Sequence, residues 1–140
     1  MSGPLAGIRI LDLTSVLMGP YATQIMGDLG ADIIKIESPG GDTTRKIGPG
    51  RSNGMGSNFL HLNRSKRSLV LDLKKEQGRE AVLRLAETAD VLIHNIRKPA
   101  MERLGLGYDA VKERNAAIVY CTMNGFGEGG PYSGKPAYDD

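Results

Sequence analysis

The chain has 140 residues, enough for one domain with a core of its own and too few for two. Hydrophobic residues make up 40% and charged residues 24%, which excludes a wholly disordered chain, and a formal net charge of +2 does not suit a dedicated nucleic-acid binder. A single cysteine excludes an intrachain disulfide framework and points to a reducing compartment.

The first residues carry neither a basic segment nor a long apolar run, so no secretory signal is expected. No stretch is apolar enough for a membrane span. Ile8 to Leu13 is a short apolar run and reads as a first strand. From Tyr21 the period changes. Ala22, Ile25, Met26 and Leu29 recur at i, i+3, i+4 and i+7, one face of a helix, and Gly30 stands where a C-cap glycine belongs. Asp32 to Ile36 is a second strand. Residues 38 to 57 are rich in glycine, with Pro39 and Pro49, and read as a long loop of the kind that is functional or mobile.

Leu69 to Leu73 reads as a third strand, and Glu76 to Ala89 as a helix with Val82, Leu85, Ala86 and Ala89 on one face. Val91 to His94 is a fourth strand. Short helices follow over Ala100 to Leu104 and Tyr108 to Arg114, then a fifth strand over Ala117 to Thr122 and a second glycine-rich loop. This alternation predicts an α/β fold: a Rossmann-like, mostly parallel sheet with helices on both faces. Ligands of such sheets bind beyond the carboxyl ends of the strands. The segments to watch are therefore Thr14 to Met18, Glu37 to Arg45, Asp72 to Lys74, Asn95 to Arg97 and Met123 to Gly130.

The first strand–helix turn lacks the G-x-G-x-x-G of a dinucleotide site. Gly129, Gly134 and Lys135 approach a phosphate loop, but Pro136 stands where the magnesium-binding hydroxyl should be. Arg64, Lys66 and Arg67 form a cationic cluster, either a solvated loop or an anion site. Asp42 reads as a turn or helix cap before a catalytic acid. Cys121 reads as a core residue, and with His61 and His94 it assembles no metal site.

Several stretches, in order, resemble the class III coenzyme A-transferases, a group that includes formyl-CoA transferase, carnitine CoA-transferase and α-methylacyl-CoA racemase. They are residues 4–13 (PLAGIRILDL), Gly19-Pro20, 29–37 (LGADIIKIE), 41–45 (GDTTR), 62–68 (LNRSKRS), 71–74 (LDLK), 89–95 (ADVLIHN), 104–107 (LGLG) and 125–127 (GFG). The resemblance covers essentially the whole chain.

It implies the N-terminal part of a larger fold that forms interlocked homodimers, with residues 1–140 a CoA-binding part truncated at its C-terminus. It implies a cytoplasmic enzyme whose substrates are an acyl-CoA and a carboxylic acid acceptor, with coenzyme A as substrate, no permanently bound cofactor, no metal, and neither nucleic acid nor membrane as partner. The reaction passes through an acyl-aspartyl anhydride, and the nucleophilic aspartate lies beyond this chain. Carried over by position, the implied CoA contacts are Val16 and Leu17; Leu71, Asp72 and Lys74; Asn95, Ile96 and Arg97; Arg103; and Ala137, Tyr138 and Asp139. Ser38 replaces an arginine of the formyl-CoA transferases. Tyr138 aligns with a histidine of the racemase branch and is a poor base near neutral pH, which favours transfer. The alternatives are a racemase-type isomerase and a non-catalytic CoA- or nucleotide-binding module.

Overall fold

A computed structural model describes residues 3–137. Five strands form one sheet: β1 (Arg9–Leu13), β2 (Asp32–Glu37), β3 (Lys66–Val70), β4 (Val91–His94) and β5 (Val119–Thr122). Their order is β3-β2-β1-β4-β5, and every pairing is parallel. The five helices are α1 (Met18–Asp28), α2 (Ser57–Leu62), α3 (Glu76–Ala86), α4 (Lys98–Arg103) and α5 (Tyr108–Arg114). Strand order reverses between β1 and β4, so the crevice of the fold lies beyond Leu13 and His94.

The side-chain period of two divides the core into two layers. Leu11, Leu13, Ile34, Ile36 and Leu92 face α3, α4 and α5 and pack with Val82, Met101 and Val111. Ile10, Ile33 and Ile93 face the other way, with Met26 of α1 against them. Parallel strands need both faces covered, and the near-continuous apolar runs of β1, β2 and β4 reflect this.

Helix α1 departs from the expected amphipathic arrangement. The residues turned to the sheet are Gly19, Pro20, Thr23, Gln24 and Gly27. The larger apolar side chains Leu17, Tyr21, Ile25 and Leu29 remain 41–51% exposed. The periodicity was that of a helix, but small residues on the opposite face bring the backbone close to β1. At Gly19 a Cβ would fall 2.4 Å from that of Thr14, so no other residue fits. The helix ends as the sequence predicts. Gly30 takes φ +102° and donates to Gly27 O, and Ala31 donates to Met26 O, a Schellman closure.

Two further expectations need correction. Strand β3 begins at Lys66, three residues before the apolar run at Leu69, and ends at Val70. Being at the sheet edge, it need not be apolar, and Leu71 and Leu73 reach the core from the connection to α3. Asp72 forms a turn there, accepting from Lys74 N at 3.1 Å. The segment 38–57 is also less loop-like than its composition suggests. It contains a 3-10 turn over Thr43–Lys46 and leads into α2, whose Phe59 and Leu62 are buried.

Leu92 is fully buried between β1 and the helices of its layer. Leu92→Ala is expected to lower unfolding free energy by about 2–5 kcal/mol, measured by urea denaturation.

Candidate functional site

At the strand carboxyl ends the face under α1 turns from apolar to charged. Asp12, Lys35 and Glu37 occupy inward positions of β1 and β2 and are all buried. Lys66 Nζ reaches them from β3 and is fully satisfied. It donates to Asp12 Oδ2 at 3.0 Å, Pro20 O at 2.8 Å and Asn63 Oδ1 at 2.9 Å. Burial pushes the Lys66 ammonium down to about 8, with Asp12 pulling the other way. Lys35 Nζ lies 3.2 Å from Asp42 Oδ2 and donates to Thr14 O at 2.9 Å.

Asp42 caps the 3-10 turn, accepting from Thr44 N at 3.0 Å and Thr44 Oγ1 at 2.8 Å. The cap expected from sequence is therefore present, with a buried lysine as an added partner. Glu37 holds the same loop from its other side. It accepts from Asp42 N at 2.9 Å and from two nitrogens of Arg45 at 2.7 Å each. The Arg45 guanidinium in turn lies 3.7 Å over the Phe59 ring, which docks α2.

The three cations of the Arg64–Arg67 cluster are each paired with a carboxylate: Arg64 with Asp28 at 2.6 Å, Lys66 with Asp12, and Arg67 with Asp32 at 2.7 Å. They knit α1, β1 and β2 to β3. An anion site at this cluster is not what they form.

The main cleft lies at the β1/β4 switch point, with a volume of about 800 Å³. Val16, Asn95, Arg97, Arg103 and Ala137 line it together, joined by the loop after β5. Across its mouth Lys98 and Glu128 form an exposed ion pair at 2.7 Å. Leu17 and Ile96 adjoin the cleft in sequence but do not line it, and Ile96 packs against the core. Leu71, Asp72 and Lys74 follow β3, with β2 and β1 between them and β4, and they do not line it either. Tyr138 and Asp139 lie outside the described residues. A smaller concavity of about 430 Å³ sits in the 49–60 region, away from all the expected site residues. Among the described residues no cluster of His, Cys, Asp and Glu could hold a metal, and no helix is long and apolar enough to cross a membrane.

Asn95 is committed on both sides of its amide. Its Oδ1 accepts from Ser15 N at 3.0 Å and its Nδ2 donates to Ser15 O at 2.9 Å. His94, the last residue of β4, is buried edge-on to Tyr120 with ring centroids 5.2 Å apart, and burial lowers its pKa. Sequence reasoning passed over Asp12 and Lys35, and read Lys66 only as part of a cationic cluster. The available signal was charge at inward parity: Asp12 shares the side of Ile10, and Lys35 and Glu37 that of Ile33.

The sequence model of CoA-transferase family III matches residues 5–140. The chain belongs to that family. It is 43% identical to the succinate–glutarate CoA-transferase of Agrobacterium fabrum over 97% of this chain and 36% of that protein. It is 45% identical to the acetyl-CoA:oxalate CoA-transferase of Acetobacter aceti over 98% of this chain and 35% of that protein. A crystal structure of a CAIB/BAIF family protein from Brucella suis superposes with a TM-score of 0.94 at 41% identity, covering 99% of this chain and 38% of that one. The chain thus spans about a third of the length of the curated relatives it matches. The parallel sheet and its flanking helices in this family III chain agree with the fold expected from sequence.

The charged layer makes stability pH-dependent. Burial raises the Glu37 carboxyl, but the Arg45 hydrogen bonds and the Asp42 amide outweigh it, so the net value lies below the ordinary 4.5. A carboxyl lowered on folding contributes stability that is complete above its unfolded value and lost as pH falls through the folded one. The melting temperature is therefore expected to drop as pH falls below 4.5, and to drop less steeply in Glu37→Gln, as scanning calorimetry across that range will show.

Proposed function

We propose that residues 1–140 form the N-terminal, CoA-binding part of an enzyme that moves CoA from an acyl thioester to a carboxylic acid. The observation that carries this reading is the cleft at the β1/β4 switch point with Arg97 and Arg103 in its lining, in a chain of CoA-transferase family III. Guanidinium groups suit the phosphates of CoA, since their fork of donors matches phosphate oxygens and they stay charged. Lys98, paired with Glu128 at the mouth, adds a third cation that an incoming phosphate can share. Of the proposed CoA contacts, Val16, Asn95, Arg97, Arg103 and Ala137 have this cleft as support. Leu17, Ile96, Leu71, Asp72, Lys74, Tyr138 and Asp139 rest on the resemblance alone.

The chemistry we propose is nucleophilic catalysis by an aspartate outside residues 1–140. Its carboxylate attacks the thioester carbonyl, the C–S bond breaks, and the CoA thiolate leaves as a mixed acyl-aspartyl anhydride forms. The thiolate then attacks the aspartyl carbonyl and expels the donor as its free carboxylate, leaving an aspartyl-CoA thioester. The acceptor carboxylate attacks that thioester, frees the thiolate and forms a second anhydride. The thiolate then attacks the acceptor carbonyl, releasing the acceptor's CoA thioester and the aspartate carboxylate. A carboxylate suits this exchange because it is itself a competent leaving group. The part described here binds and orients the CoA moiety, which holds the thioester in place for attack.

The test is calorimetric titration of CoA into the whole protein. Arg97→Ala is expected to weaken binding by about 1–3 kcal/mol, the range for a lost charge-assisted hydrogen bond, with Arg103→Ala in the same direction. Unchanged affinity in both variants would overturn the assignment of the cleft.

The same reading concerns the exposed apolar stripe of α1, Leu17, Tyr21, Ile25 and Leu29. We propose that in the whole protein this stripe is covered by further chain or by a partner copy, as in an interlocked homodimer. Residues 1–140 expressed alone are then expected to self-associate through it and to bind CoA without transferring it. Light scattering and a CoA-transfer assay check this, and a stable monomer would contradict the association.

A further inference from the structure

Val16 is β-branched and yet takes φ +74°, in the left-handed region that such residues avoid. A conformation of this kind persists only where its surroundings over-determine it. Here polar side chains fasten the backbone of three successive residues. Just after β4, Asn95 gives and takes one hydrogen bond each with Ser15, at 2.9 and 3.0 Å, beyond the last backbone partners Leu13 and His94. The amide side chain thereby adds a rung to the sheet where β1 and β4 have begun to part. From β2, Lys35 donates to Thr14 O at 2.9 Å, and from the loop after it Asp42 accepts a long bond from Val16 N at 3.4 Å. From β1 itself, Asp12 Oδ1 accepts from Thr14 N at 2.9 Å.

Asn95 lines the cleft, and one hydrogen and one lone pair of its amide are already committed to Ser15, which fixes the plane of the group. We propose that Asn95 is a positioning residue: by clamping Ser15 it holds Val16 left-handed, and so fixes the turn that enters α1 along the edge of the cleft. Lys35 and Asp42 hold the same turn from its other side. The inference rests on the CoA reading of the cleft for its functional consequence, and on geometry alone for the clamp.

The test uses the whole protein with two substitutions and two readouts. Amide hydrogen exchange without ligand reports the clamp, and CoA titration reports its consequence. Asn95→Ala is expected to speed exchange at Ser15 at least about tenfold and to weaken CoA binding about tenfold, since misplacement of this order in a binding turn is costly. Adding Val16→Gly is expected to restore most of the affinity, because glycine adopts φ +74° without strain and no longer needs holding. Exchange at Ser15 stays fast in that double variant. A residue that touched the ligand would show no such rescue, and neither would one that only stabilised the fold. Asn95→Leu, which fills the same space with neither donor nor acceptor, serves in place of Asn95→Ala if the latter does not fold, with the same expectations. Unchanged exchange in both Asn95 variants overturns the clamp. Weakened binding without rescue by Val16→Gly overturns the positioning role and makes Asn95 a ligand contact. Absence of CoA binding in the unmodified protein overturns the proposed function instead, while the exchange measurement still decides the clamp.

Discussion

Two buried lysine side chains organise this fold. Lys66 and Lys35 are each no more than 2% exposed in their side chains, and each faces an aspartate. Burying an ion costs several kcal/mol, and further hydrogen bonds to the paired groups offset part of that cost. For Lys66 all three ammonium hydrogens have partners, one of them the Pro20 carbonyl in α1. The pair thereby joins two strands, a helix and the turn before β3 through one nitrogen atom. Such a pair is a poor source of net stability and a strong selector of arrangement. A slip of β3 by one residue would carry Lys66 to the opposite face and leave Asp12 buried without a counterion.

The same layer links packing to the cleft. Glu37 and Asp42 fold the start of the 38–57 segment back over the sheet, Arg45 carries α2 with it, and Lys35 passes the constraint to Thr14 at the mouth of β1. On the far side, Asn95 closes the strands that the topology drives apart. The switch point of a parallel sheet is an opening because no backbone pairing is left there. In this protein the side chains of Asn95, Lys35 and Asp42 fasten the turn that lines it. Of these groups Asn95 lines the cleft itself, whereas Lys35 and Asp42 act on the turn from buried positions outside the lining.

Much of this was written in the local pattern. Strand β4 and helix α5 fall where the apolar runs and periodicity put them, and Gly30 ends α1 by the closure its position promises. The grouping of Val16, Asn95 and Arg97 at strand ends followed from the parallel α/β alternation. Other features resisted. α1 had the right period but turned its smaller side to the sheet, because Gly19 and Gly27 permit a close approach that large residues forbid. The cationic run at Arg64 to Arg67 carries no mark distinguishing ion pairs from an open anion site, since Asp28, Asp12 and Asp32 are distant in sequence.

By itself the sequence determined an alternating α/β chain, its strand ends as the place for ligands, and its resemblance to the class III CoA-transferases. These depend on short-range spacing and on motif order, which are properties of the chain. The tertiary structure decided which charges are buried, which face of α1 is left apolar and open, and that Asn95 spends its amide on Ser15. Each of those rests on contacts between residues brought together only when the strands take their order. Asn95 and Ser15 are 80 positions apart, and no local pattern could announce that one would complete the backbone of the other.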